Sequence, residues 1–67
     1  MSISARNQLK GKITEIVLGD VVSEVTIRVG QNLIDAVITR RSVEQLKLKK
    51  GDTVIAVIKA TEVMVSK

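Results

Sequence analysis

Two short polar segments carry the chemistry available to this chain. Ser4-Ala5-Arg6-Asn7 stands ahead of the first strand-like run, and Lys59-Ala60-Thr61 follows the longest apolar run. Together they supply hydroxyls, a guanidinium, an ammonium, and backbone N–H groups that the small side chains of Ala5 and Ala60 leave uncovered. Donors with so little acceptor surface beside them suit an anion. The two segments are far apart in sequence, so they can meet only through the fold, either within one barrel or across an interface between copies.

Few other chemistries are open. The 67 residues make one domain spanning 1–67, and they contain neither cysteine nor histidine. Disulfide frameworks, thiolate or imidazole metal sites, and Cys-His or Ser-His-Asp nucleophile systems are therefore excluded. A disulfide-free chain suits the cytosol. The longest apolar run, residues 54–58, is far short of the roughly 20 residues of a membrane-spanning helix, and no signal peptide or anchor is expected. Among the acidic residues, Asp20 and Asp52 fit turns, while Glu15 and Glu24 fit solvent-facing strand positions. No carboxylate pair and no nucleophile with a base stands out, so the chain reads as a binding protein and not an enzyme.

The apolar residues, 45% of the chain, are mostly Val, Ile and Leu, and none is aromatic. A core this small seldom supplies more than about 3 to 5 kcal/mol of net stability, and small proteins usually add a disulfide, a metal or a partner subunit. With the first two excluded, the expectation is a homo-oligomer that buries apolar strand faces between copies.

The elements that must position the polar segments follow from periodicity. Residues 9–18 place Leu9, Gly11, Ile13 and Val17 on one side and end at the Gly19-Asp20 turn pair. Residues 21–29 alternate cleanly, with Val21, Ser23, Val25, Ile27 and Val29 opposite Val22, Glu24, Thr26 and Arg28, before the Gly30-Gln31-Asn32 turn. A third strand over 33–39 sets Ile34, Ala36 and Ile38 on one face. Ser42 is placed to cap a helical turn with Gln45 three residues on, and Val43, Leu46 and Leu48 give it an apolar side. The 53–58 strand is apolar on both faces and is expected to be covered on both. A last strand over 62–65 turns Val63 and Val65 inward, with Met64 as core filler. The fold class is mainly β: a small five-stranded OB-type barrel with one short helical turn between strands 3 and 4.

These segments resemble the molbindins, the small free-standing form of the TOBE-type, molybdate-binding Mop domain. Ser4-Ala5-Arg6-Asn7-Gln8 resembles the family's opening signature and Ala36-Val37-Ile38-Thr39 its middle segment. Leu46-Lys47-Leu48-Lys49-Lys50-Gly51-Asp52 resembles its turn, and Val57-Ile58-Lys59-Ala60-Thr61 its closing segment. Their order and spacing across the whole chain make the resemblance specific. It implies a cytoplasmic protein that binds molybdate or tungstate where subunits meet, for molybdenum storage and homeostasis, with no organic cofactor and no direct protein-metal ligation. It further implies a hexamer built as a trimer of dimers. By position, the resemblance assigns oxyanion contacts to Ser4, Arg6, Asn7, Thr39, Lys59 and Ala60. It also implies further sites between dimers, for which the stretch Gly19, Asp20, Val21, Val22 and Ser23 is the expectation.

Molybdate is a tetrahedral dianion at neutral pH, and Ser4, Arg6, Thr39 and Lys59 are the donors and positive charges such an ion needs. Each also has a plainer use: a solvated chain end for Ser4 and Arg6, a cap for Thr39, a water-facing strand exit for Lys59. Arg40, Arg41, Lys47, Lys49 and Lys50 read as a solvated face around the helical turn.

The competing class is a small basic DNA-binding barrel, suggested by a net charge of +4 and a pI near 9.9. Without aromatic residues the chain cannot stack single-stranded bases. Residues 40–57 resemble, more faintly, the swapped-hairpin transition-state regulators. Those domains usually carry a proline before the helix, and this chain has none.

Overall fold

The computed structural model describes residues 6–67. Strands β1 (Asn7–Leu18), β2 (Val22–Val29) and β3 (Asn32–Thr39) form an antiparallel meander. Helix α1 (Arg40–Gln45), strand β4 (Thr53–Ile58) and a 3-10 turn at Ala60–Glu62 follow. The sheet order is β3-β2-β1-β4.

β1 is long because it serves two ladders. Its first half pairs with β4, from Asn7↔Ile58 to Lys12↔Thr53, and its second half pairs with β2, from Lys12↔Arg28 to Leu18↔Ser23. Where the ladders meet, Gly11 leaves no room for a side chain. A Cβ there would run into the Arg28 carbonyl oxygen and lie 2.8 Å from the Ile27 side chain. A bulge follows between Ile13 and Glu15, which leaves Thr14 without an opposite residue. The bulge corrects the expected inward set of β1. Ile13 is buried, but after one extra residue it is Ile16 that packs on the core, and Val17 is half exposed.

β2 and β3 keep their expected faces except at Val21, which precedes β2 and is 74% exposed. Ser23, Val25 and Ile27 are buried, with Ile34, Ala36 and Ile38 half-buried opposite them, while Leu33 and Val37 face solvent. The two-residue loop Gly30-Gln31 has a positive φ only at glycine (62°), as a type II′ hairpin requires.

The cap of α1 is Thr39, not Ser42. The Thr39 hydroxyl accepts from the Ser42 backbone N–H (3.1 Å) and donates to Ser42 Oγ (2.9 Å). Val43 is the buried residue of the helix, and Leu46 is exposed. The helix ends with Lys47 at φ 52°, the Lys47 N–H bonded to the Glu44 carbonyl and the Leu48 N–H to the Val43 carbonyl, a Schellman pattern. The turn after it docks on β1 through Gly51 N–H to Ile13 O (2.8 Å) and Ile13 N–H to Asp52 O (2.9 Å). These bonds serve the backbone of Ile13 beside the bulge.

Two expectations are overturned at the C-terminal end. β4 is not covered on both faces: it is an edge strand, only Ala56 is buried, and Ile55 and Val57 are at least half exposed. The fifth strand over 62–65 is not part of the sheet. Residues 60–62 form the 3-10 turn, residues 63–67 have no regular structure, and Met64, expected in the core, is 93% exposed. Strand-like alternation gives a segment an apolar face but no hydrogen-bonded neighbour, and this one finds none among the described residues. The fold is a four-stranded antiparallel sheet with a short helix, OB-like, with β3 and β4 not paired to each other.

Candidate functional site

The β1/β4 ladder unites the two segments that the sequence keeps apart. Asn7 is opposite Ile58, so Arg6 and Lys59 are the residues at which the two strands leave the sheet at the same end. Both residues are exposed, and Asn7 is half-buried. On the β4 side Lys59 has an extended backbone and caps the 3-10 turn, its carbonyl accepting from Glu62 N–H (2.9 Å). Ala60 opens that turn and is exposed, with no bulk to cover the adjacent amides. Ser4 lies outside the described residues.

Thr39 is not at this end. It pairs with Val22 at the start of β2, next to the Leu18↔Ser23 pair, which places it at the far end of β1 from Arg6. At roughly 3.3 Å per residue, the length of β1 separates the two positions by much more than the width of a tetrahedral anion. Thr39 instead shares a shallow groove of about 400 Å³ with Asp20, Val21, Arg40, Arg41 and Glu44. The Arg40 N–H donates to the Val21 carbonyl (2.8 Å), which fastens the start of α1 to the β1-β2 turn. Arg40 and Glu44 approach to 3.8 Å as an exposed pair one helical turn apart, a weak interaction.

The second set of expected residues therefore forms one neighbourhood with Thr39. Gly19 fits the turn tightly, since a Cβ there would collide with the Val22 carbonyl oxygen. Ser23 is 2% exposed, and its hydroxyl has no hydrogen-bond partner among the described residues. A buried hydroxyl left unpaired costs free energy. Arg40 and Arg41, read from sequence as a solvated face, line this groove. Their position immediately after Thr39 was the available signal.

The sheet and its two polar ends define a small antiparallel β-module of OB-like type, with a basic pair at one end and a hydroxyl and guanidinium groove at the other. The chain belongs to the TOBE domain family, which matches residues 3–65. It is 48% identical over 66 residues to molybdenum-pterin-binding protein 1 of Clostridium pasteurianum, covering 97% of both chains. Among solved structures it superposes on a molybdate-binding protein from Sporomusa ovata with a TM-score of 0.95 at 42% identity, covering 100% of both chains. It also superposes on the cytoplasmic molybdate-binding protein ModG with molybdate bound, with a TM-score of 0.85 at 41% identity, over 90% of this chain and 43% of ModG. The family resemblance seen in the sequence thus holds over the full fold, and the duplex-binding alternative finds no support among these relatives.

Proposed function

We propose that this chain is a molybdate-binding protein that holds the oxyanion by hydrogen bonds and charge, without catalysis and without direct ligation of the metal by protein atoms. The pairing of Asn7 with Ile58 carries this reading, because it gathers Arg6, Asn7, Lys59 and Ala60 at one sheet end. A guanidinium, an ammonium, an amide and exposed backbone N–H groups there suit a tetrahedral dianion. Ser4, two residues before Arg6, completes the donor set in this reading.

Thr39 belongs to the same site only if another copy supplies it, because within one chain it lies at the opposite end of β1. The reading therefore includes a homo-oligomer, a hexamer arranged as a trimer of dimers, with the Arg6 and Lys59 end of one copy meeting the Thr39 end of another. Gly19, Asp20, Val21, Val22 and Ser23 are then candidates for a second type of anion site, to which the unpaired Ser23 hydroxyl lends support. Tungstate, of the same charge and shape, is the expected alternative ligand. The proposed role is molybdenum storage and homeostasis in the cytoplasm, where ModG resides. No helix among the described residues is long and apolar enough to cross a membrane.

The name of the Clostridium pasteurianum relative raises a second reading, a molybdenum-bearing pterin as ligand. The chain has no aromatic residue to stack on a pterin ring, which favours the bare oxyanion. Calorimetric titration of anion-free protein with molybdate, tungstate, sulfate, phosphate and a pterin tests both. Tight binding of molybdate and tungstate with little heat from sulfate is expected. Silence for both metal oxyanions would refute the proposal.

A further inference from the structure

The outward face of the β1/β4 ladder carries cations and no carboxylate. Alternation puts Gln8, Lys10 and Lys12 on one face of β1, and the register sets Val57, Ile55 and Thr53 of β4 beside them. Arg28 of β2 lies directly opposite Lys12 on that same face. Lys10, Lys12 and Arg28 are all exposed. Residues 6–12 and 53–59 contain no Asp or Glu. A row of positive charge therefore runs along β1 from the Arg6 and Lys59 end to the Lys12 and Arg28 pair.

Such a row is unfavourable for the fold. Like charges directly opposite each other across a ladder destabilise a sheet. Among the described residues, none of these three cations reaches a carboxylate at ion-pair distance. The carboxylate of Asp52, beside Thr53, accepts from the Lys49 N–H instead (3.0 Å). The acids of this face begin one row beyond Arg28, where Glu15 and Asp35 lie opposite Thr26, and Glu24 follows. The face is thus divided along β1, positive toward Arg6 and Lys59 and negative toward the β1-β2 turn.

We infer that Lys10, Lys12 and Arg28 form a capture track for the dianion, resting on the oxyanion reading of the Arg6 and Lys59 end: the track draws the ion from solution and passes it to that end, whose contacts hold it. At roughly 3.3 Å per residue, Lys10 is about 13 Å from Arg6 along β1, and Lys12 with Arg28 about 20 Å. Those separations are too long for contact with an ion held at Arg6 and shorter than the ~30 Å Debye length of 0.01 M salt. The carboxylates of the far half repel the same ion, so the field has a direction along the strand. Charges placed in this way raise the association rate and leave dissociation to the contact residues.

The test measures both rates on the whole chain at an ionic strength of about 0.01 M. Calorimetry gives Kd for molybdate, trapping of released molybdate by excess catechol gives koff, and the two together give kon. The triple variant K10Q/K12Q/R28Q is expected to lower kon about three- to ten-fold with koff within about twofold of wild type, and the difference should vanish in ~0.5 M salt. K10R/K12R/R28K keeps the charges and should keep the wild-type rate. The loss should be graded, larger for K10Q than for R28Q, because Lys10 stands nearer Arg6. An unchanged kon, a loss that sits in koff or survives high salt, or equal losses in K10Q and R28Q, the mark of net charge alone, would overturn the track and leave the oxyanion reading standing. Absence of molybdate binding by the wild type would remove both. Thermal unfolding of the anion-free triple variant is independent of binding. Relief of the repulsion between positions 12 and 28 should hold its midpoint at or above that of the wild type at low salt, and a lower midpoint would show that these cations serve the fold and would overturn the track.

Discussion

Asn7 is paired with Ile58 at the last position of the β1/β4 ladder, so Arg6 and Lys59 leave the sheet side by side although 52 residues separate them in the chain. Two cations held at one sheet end repel each other, and an anion between them would relieve that repulsion while accepting their hydrogen bonds.

Arg6→Ala and Lys59→Ala are each expected to weaken molybdate binding by about 1 to 3 kcal/mol, the scale of a charged hydrogen bond lost. Both side chains are exposed, so the thermal midpoint of the anion-free protein should barely move. Calorimetry paired with thermal unfolding checks this. Unchanged titrations in both variants would remove Arg6 and Lys59 from the site.

Ser23→Ala deletes a buried hydroxyl that has no partner among the described residues, so the anion-free protein should be unaffected or more stable by up to about 1 kcal/mol. If the β1-β2 turn holds an anion that engages this hydroxyl, saturating molybdate should stabilise the variant less than the wild type. Urea unfolding with and without molybdate reads both effects. Equal stabilisation of the two proteins would exclude Ser23 from anion binding.

Thr39→Ala removes the N-cap of α1 and should destabilise the fold by about 1 kcal/mol, whereas Thr39→Ser should keep nearly all the stability. Chemical denaturation measures the cap. Titration of the same variants measures the proposed intersubunit role separately, because serine restores both the cap and the hydroxyl.

Gly11→Ala forces a Cβ against the Arg28 carbonyl and the Ile27 and Val29 side chains where the two ladders of β1 meet. The neighbouring atoms include backbone, which cannot swing aside, so a loss of about 1 to 3 kcal/mol is expected. Thermal unfolding would show it. A neutral outcome would mean that the packing of β1 against β2 is looser than these contacts indicate.

Much of the sheet was legible because β2 turns Glu24, Thr26 and Arg28 to one side, which leaves one choice of face, and β3 follows it as the next strand of a meander although Leu33 and Val37 make its outer face partly apolar. β1 was harder. Its composition does not mark the extra residue at Thr14, so the inward position passes from Val17 to Ile16 for a reason that exists only in the pairing with β2. The cap was misplaced for a similar reason. Thr39 and Ser42 are both competent N-caps, and only the path of the chain out of β3 selects Thr39.

The sequence by itself narrowed the class of chemistry, since a chain lacking Cys, His and aromatic residues excludes thiolate and imidazole sites and base stacking, and the donors of Arg6, Asn7, Lys59 and Ala60 make anion binding the reading to test. It also determined the meander, through local alternation and turn residues. Tertiary structure decided which residues become neighbours. Register placed Arg6 beside Lys59 and sent Thr39 to the other end with Asp20, Val21 and the two arginines. It left residues 63–65 outside the sheet although β3 and β4 each keep an unpaired edge, because alternation supplies a segment with an apolar face and not with a hydrogen-bonded neighbour.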